Sequence, residues 1–187
     1  RSALAEYQNK DYADTFVEFV EQIRLREKEV VPGSIRLTRT VARQLFRLMA
    51  YKDEYEVARL ATAPEFERRL ERLFDGDVHV VSHLQPPSLR WLFKHKVRFG
   101  PWIRPLLKLL SRLKWLRATR IDPFAFSRSR RQERALIVWY RDLVEKLLVG
   151  LNGANIEQAI EISDVADGIR GFEEVKSRAA RVAMAAA

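Results

Sequence analysis

The chain contains no cysteine. This excludes disulfides, thiolate-held iron–sulfur clusters and thiol nucleophiles from its 187 residues. Glycine and proline are scarce, seven of each, and long stretches lack both, which favours helices punctuated at a few places. No apolar run approaches the roughly 20 residues of a membrane-spanning helix. The N-terminal stretch with Glu6, Asn9, Lys10, Asp11 and Asp14 lacks the apolar centre of a secretory leader. Gly100, Gly150, Gly153, Gly168 and Gly171 never form a phosphate-cradling string, and Ser82, Ser111, Ser127 and Ser129 have no strand-turn-helix elbow around them. Nucleotide loops and hydrolase triads therefore have no support.

What is present is 47% hydrophobic and 32% charged residues, a balance that permits one sizeable core and leads us to expect a single helical domain over residues 1–187. The positive charge is localised. From Arg90 to Arg134 there are 14 Lys or Arg against Asp122 and Glu133, a balance of +12, while the remainder carries −3 of the total of +9. Such a segment meets phosphate, nucleic acid or an acidic protein surface.

Apolar periodicity predicts a mainly α fold of about six to seven helices. The first runs from Ala3 to Val31 through Phe16, Val20, Ile23 and Val30, and stops before Pro32-Gly33. A second, capped by Thr38, carries Val41, Leu45, Leu48 and Met49 on one face and continues through Tyr55, Val57, Ala58 and Leu60. Pro64 suits the first turn of a third, Glu65 to Phe74. Residues 78–84 are rich in β-branched side chains and read as an extended strand ended by Pro86-Pro87, so a short extended or hairpin segment is expected near residues 77–98. Its partner is Leu89 to Val97, or nothing if it forms an edge, or a region outside the chain. After Gly100-Pro101, the residues Trp102, Ile103, Leu106, Leu107, Leu110 and Leu113 form a wide apolar stripe backed by Arg104, Lys108 and Arg112, whose four-residue spacing predicts one exposed ridge. Helices from about Arg128 to Gly150, Asn155 to Val165 and Phe172 to Ala186 complete the reading.

Three constellations have chemical potential. His79 and His83 stand four apart, but His95, the remaining histidine, lies in a basic run that repels cations, so ordinary imidazoles are the simpler account and no metal site is assigned. Lys52, Asp53, Glu54 and Glu56, with Arg59 three residues after Glu56, read as a paired, solvated helix face or an interdomain salt bridge in preference to acid–base catalysts. Trp91, Phe93, Phe99, Trp102, Trp115, Phe124 and Phe126 interleave with the bases, a pattern used by single-strand nucleic-acid binders and equally produced by helices that bury a face.

The 13 residues Leu48-Met49-Ala50-Tyr51-Lys52-Asp53-Glu54-Tyr55-Glu56-Val57-Ala58-Arg59-Leu60 resemble the C-terminal region of the fused indolepyruvate ferredoxin oxidoreductases, bacterial members of the 2-oxoacid ferredoxin oxidoreductase group. Further blocks follow in the same order: His83-Leu84 before Pro86-Pro87, Phe99-Gly100-Pro101-Trp102, Asp122-Pro123-Phe124, Glu133-Arg134-Ala135-Leu136-Ile137, and Ile169-Arg170-Gly171-Phe172 with Val175-Lys176. The chain departs from the pattern at Ala125 and Glu173, where that family usually and often, respectively, has glycine.

The resemblance implies that this is a noncatalytic C-terminal fragment of a much longer, cytoplasmic, homo-oligomeric enzyme. That enzyme would oxidatively decarboxylate arylpyruvates to acyl-coenzyme A and pass electrons to ferredoxin, using thiamine diphosphate and iron–sulfur clusters held elsewhere. No catalytic, cofactor or metal residue is carried over to this chain, since the cluster thiolates are absent and Asp75-Gly76-Asp77 reverses the thiamine Gly-Asp-Gly order. The expected partners are the catalytic domains of the same polypeptide, with ferredoxin or coenzyme A phosphates as further candidates for the basic segment. The residues expected to make such contacts are Lys52, Asp53, Glu54, Glu56, Arg59, Arg104, Lys108 and Arg112. The alternative is an autonomous basic helical nucleic-acid-binding module.

Overall fold

The computed structural model describes residues 2–76, 80–84, 97–117, 119–171 and 173–187. The fold is mainly α. Among the described residues there are nine α-helices and one two-stranded hairpin: α1 (Ser2–Tyr7), α2 (Lys10–Val30), α3 (Arg36–Met49), α4 (Glu54–Thr62), α5 (Pro64–Leu73), β1 (Ser82–Leu84), β2 (Val97–Phe99), α6 (Arg104–Arg112), α7 (Arg128–Val149), α8 (Ile156–Asp164) and α9 (Glu173–Ala186). None of these helices is long and apolar enough to cross a membrane.

The helix count exceeds the expectation because two predicted helices are each broken by a capping side chain. Asn9 is extended and its Oδ1 accepts the Tyr12 N–H, starting α2 afresh after α1. Asp53 does the same for α4, accepting the Glu56 N–H at 2.7 Å, so the acidic cluster opens a helix where a helix interior was expected. Thr38 is not a cap. The helix begins two residues earlier, and Glu27 of α2 takes the capping role from outside: its carboxylate accepts hydrogen bonds from the Leu37 and Thr38 N–H groups and from the Ser34 and Thr38 hydroxyls, at 2.6–3.0 Å. Glu27 is fully buried.

The chain divides into two compact units, residues 1–51 with 128–187, and residues 52–127 inserted between them in sequence. The first unit has an extensive apolar core in which Leu4, Phe19, Ile23, Leu45, Leu136 and Tyr140 are essentially inaccessible. Each such side chain contributes about 1.5–3 kcal/mol of burial. Tyrosine hydroxyls close backbone groups the helices leave open: Tyr7 and Tyr12 donate to the carbonyls of Tyr51 and Met49 at the end of α3, and Tyr140 donates to that of Ser163. Between α3 and α8 runs a ladder of ion pairs, Arg36 with Glu157, Arg43 with Asp164, and Arg47 with Asp167 of the following turn.

The inserted unit is built differently. Ala58 of α4 is small enough to let α6 approach, and Ile103 and Leu107 pack on it with Ala61, Phe99 and Leu110 at the edge. The hairpin is antiparallel, with Ser82 opposite Phe99 and Leu84 opposite Val97. Of the strand expected over 78–84, Ser82–Leu84 forms and residues 80–81 lie outside it, and among the described residues the return strand at Val97–Phe99 shares only Val97 with the expected Leu89 to Val97. Residues 89–96, His79 and His95 lie outside the described residues. The stripe on α6 is wider than the face it buries: Ile103 and Leu107 are inside, while Trp102, Leu106 and Leu109 are exposed.

Candidate functional site

The densest polar arrangement in the inserted unit grows from the start of α4. Asp53 caps that helix and its carboxylate also receives the Arg117 guanidinium in a two-pronged pair, Nε to Oδ2 at 2.6 Å and Nη2 to Oδ1 at 2.8 Å. Two residues on, the Tyr55 hydroxyl donates to Asp122 Oδ1 at 2.9 Å, and the same oxygen accepts the Phe124 N–H at 3.0 Å, which fixes the turn containing Pro123. The Arg117 guanidinium sits 5.6 Å from the Tyr55 ring centre, and Phe124 meets that ring edge-on at 5.3 Å. Asp53, Tyr55, Arg117 and Asp122 are all buried.

A buried carboxylate and guanidinium are tolerable only when they are paired, as Asp53 and Arg117 are here; the Tyr55 ring beneath Arg117 links that pair to the Tyr55–Asp122 hydrogen bond. Burial, reinforced by the Asp122 acceptor, pushes the Tyr55 phenol far above its ordinary pKa, so it stays protonated and serves as a donor. The arrangement is a cross-link in the fold. Both Asp53 oxygens and Asp122 Oδ1 accept hydrogen bonds from groups inside the unit.

The residues singled out from the sequence separate into three environments. Asp53 belongs to the buried network; Glu56 pairs with Arg59 of the same helix at 2.7 and 2.8 Å, and Glu54 is half-buried beside them. Lys52 is exposed just ahead of α4. Arg104, Lys108 and Arg112 are exposed on α6, at the spacing of a single ridge. Asp53 is thus withdrawn from the charged surface on which Lys52 and the α6 ridge lie exposed.

Sequence reasoning missed Arg117 as the partner of Asp53, and treated Tyr55 as an apolar position and Asp122 only as a turn residue. Nothing in local spacing links residues 64 apart, although an Asp-Pro turn followed by an aromatic does flag a locally hydrogen-bonded carboxylate. The ladder between α3 and α8 had a readable signal: Arg36 and Arg43 are seven apart, and so are Glu157 and Asp164.

Two shallow grooves belong to the first unit. One, beside Ile35, Arg39, Ile156 and Ile160, holds the Arg36–Glu157 pair; the other is walled by Val165, Val175, Ala179 and Val182. The first also has Ser34 in its lining, and the second is mostly apolar with Arg178 in its wall. Among the described residues no group of three or more His, Asp or Glu is arranged to hold a metal ion.

Comparison with protein families gives one match, over residues 1–187, to a family of unknown function. The chain belongs to DUF6537. No curated protein and no solved structure matches it. The family thus takes in both compact units, and the buried network around Asp53 falls inside the matched region.

Proposed function

We propose that this chain is a noncatalytic helical domain of an indolepyruvate ferredoxin oxidoreductase, a cytoplasmic 2-oxoacid oxidoreductase that carries its thiamine diphosphate and iron–sulfur clusters on other domains. The reading rests on the sequence blocks that resemble that enzyme group. What supports a structural role for them is that blocks distant in sequence meet in space. Tyr55 of the first block bonds Asp122 and meets Phe124 of a later one edge to face. Glu133 accepts a hydrogen bond from Lys176 at 2.6 Å, joining two others, with both side chains largely buried. Gly171, with φ of +96° and Val175 Cγ1 only 2.7 Å from where a Cβ would stand, is needed for the turn into α9. Residues used in this way hold a shape; they do not turn over a substrate.

The test compares the 187-residue chain with the whole polypeptide that carries it, under anoxic conditions, in arylpyruvate- and coenzyme A-dependent reduction of ferredoxin or a viologen dye. Activity is expected from the whole polypeptide alone, and Glu54→Gln in it should leave turnover within about threefold, far from the 100-fold or greater loss typical of an acid–base catalyst. Turnover by the isolated chain, or none by the whole polypeptide, would remove this reading. The alternative, an autonomous nucleic-acid-binding module, draws on the exposure of Trp102, Trp115 and Phe126 within the basic segment of the sequence.

A further inference from the structure

Helix α6, with the 3-10 turn Pro101–Ile103 before it and the turn Leu113–Leu116 after it, carries three distinct rows of side chains. Ile103, Leu107 and Leu110 face α4 and form the small core of the inserted unit. Trp102, Leu106 and Leu109 form a second row that is 67%, 56% and 55% exposed, and Leu113 continues it half-buried. Arg104, Lys108 and Arg112 form the third. With about 100° of rotation per residue, the three rows lie roughly a third of a turn apart. The exposed row is therefore flanked on one side by the unit's own core and on the other by bases.

The spacing within the exposed row decides what fits it. Trp102, Leu106, Leu109 and Leu113 follow a four-three-four rhythm, the seam that a second helix packs against with knobs in holes. Lys108 and Arg112 form no ion pair among the described residues, so the flank of the seam presents uncompensated positive charge. A second copy of this chain would bring the same charge to the seam and be repelled. Single-stranded nucleic acid uses aromatics and bases on one face, whereas here the leucines of the seam offer a phosphate backbone nothing. A lipid surface favours bases on both borders of an apolar face, and one border here is closed by α4.

We propose that the exposed row of α6 is a docking seam for an amphipathic α-helix of another protein domain, apolar at its contact positions and acidic along the edge that meets Lys108 and Arg112. This goes beyond the enzyme reading and does not rest on it.

The experiment uses the full 187-residue chain and a fluorescein-labelled helical peptide of about three heptads with Leu at a and d and Glu at e and g, which keeps the peptide from pairing with itself. Fluorescence anisotropy should show saturable binding with Kd on the order of 1–50 μM. Leu106→Ala with Leu109→Ala, and separately Lys108→Glu with Arg112→Glu, should each weaken it at least tenfold (about 1.4 kcal/mol), and raising salt from about 0.05 to 0.5 M should weaken the wild type several-fold. All four side chains are exposed, so unchanged circular dichroism and thermal melting are expected for both variants. Three outcomes would overturn the proposal. They are no saturable binding, equal binding by the variants, and a different occupant lost with the same substitutions: phosphatidylglycerol vesicles, oligothymidylate or a homodimer. Failure here leaves the oxidoreductase assay untouched, and failure of that assay leaves this binding result standing.

Discussion

In the first unit the elements meet through apolar side chains that are almost wholly inaccessible, from Leu4 in α1 to Ala183 in α9; Glu27 and Arg130 are buried with them, and other charged residues form exposed pairs such as Arg43–Asp164. In the inserted unit the described apolar cluster is small, Ala58 with Ile103 and Leu107, and the deep positions belong to Asp53, Tyr55, Arg117 and Asp122. Large apolar side chains there face outward: Leu73, Phe74, Trp102, Leu106, Trp115, Ile121 and Phe126 are all more than half exposed. The difference teaches how each unit tolerates change. A core of apolar side chains degrades by increments as volume is lost, whereas a buried ion pair is indifferent to joint replacement and intolerant of losing one partner.

The sharpest break in the comparison is therefore Asp53→Ala. It strands the Arg117 guanidinium inside the inserted unit and removes the α4 cap, and should cost about 3–5 kcal/mol in urea unfolding followed by tryptophan fluorescence. Adding Arg117→Met should recover most of that loss, apart from about 1 kcal/mol for the missing cap. If the double variant is as unstable as the single one, the pair is not the source of the cost. In the first unit, Leu45→Ala leaves a cavity at a fully buried site and should cost about 2–5 kcal/mol, with no second substitution at a charged position able to restore it.

Glu27 sharpens the comparison, since it is the buried carboxylate on which the first unit relies. Burial opposes its ionisation, but hydrogen bonds from Ser34, Thr38 and Leu37 outweigh that and hold its pKa below the ordinary glutamate value. A carboxylate depressed in the folded state contributes stability that is fully present above its unfolded pKa and is lost as pH falls through the folded one. Glu27→Gln should cost about 1–3 kcal/mol at neutral pH. The gap between wild type and variant should narrow on acidification below the ordinary glutamate range; a gap that widens there would contradict the assignment. The smallest effect belongs to the ladder: Arg43→Ala, at a largely exposed pair, should cost at most about 1 kcal/mol and less in high salt.

The sequence made the long helices legible because apolar periodicity is a local signal: α5, α7, α8 and α9 lie within about two residues of their predicted bounds. It concealed the breaks at Asn9 and Asp53. In both places apolar positions continue in phase across the break, so periodicity alone runs through it, and only the capping side chain marks the new start. Reading Lys52, Glu56 and Arg59 as a paired face caught the Glu56–Arg59 pair, which is local, and overlooked Asp53–Arg117, which is not. The exposure of the α6 ridge was legible from four-residue spacing. That Trp102 and Leu106 would be exposed as well was not, because periodicity reports that a face is apolar and says nothing about how much of it finds a partner.

The most direct measurement is amide hydrogen exchange, read by mass spectrometry, on the wild-type 187-residue chain and its Asp53→Ala variant. A unit held by a buried charged network should lose protection when that network is cut. Peptides from α4 and α6 should therefore exchange faster in the variant by a factor of 100 or more (about 2.7 kcal/mol or above), while those from α3 and α7 keep their wild-type protection. Unchanged protection in α4 and α6 would contradict the claim that Asp53 and Arg117 hold the inserted unit together.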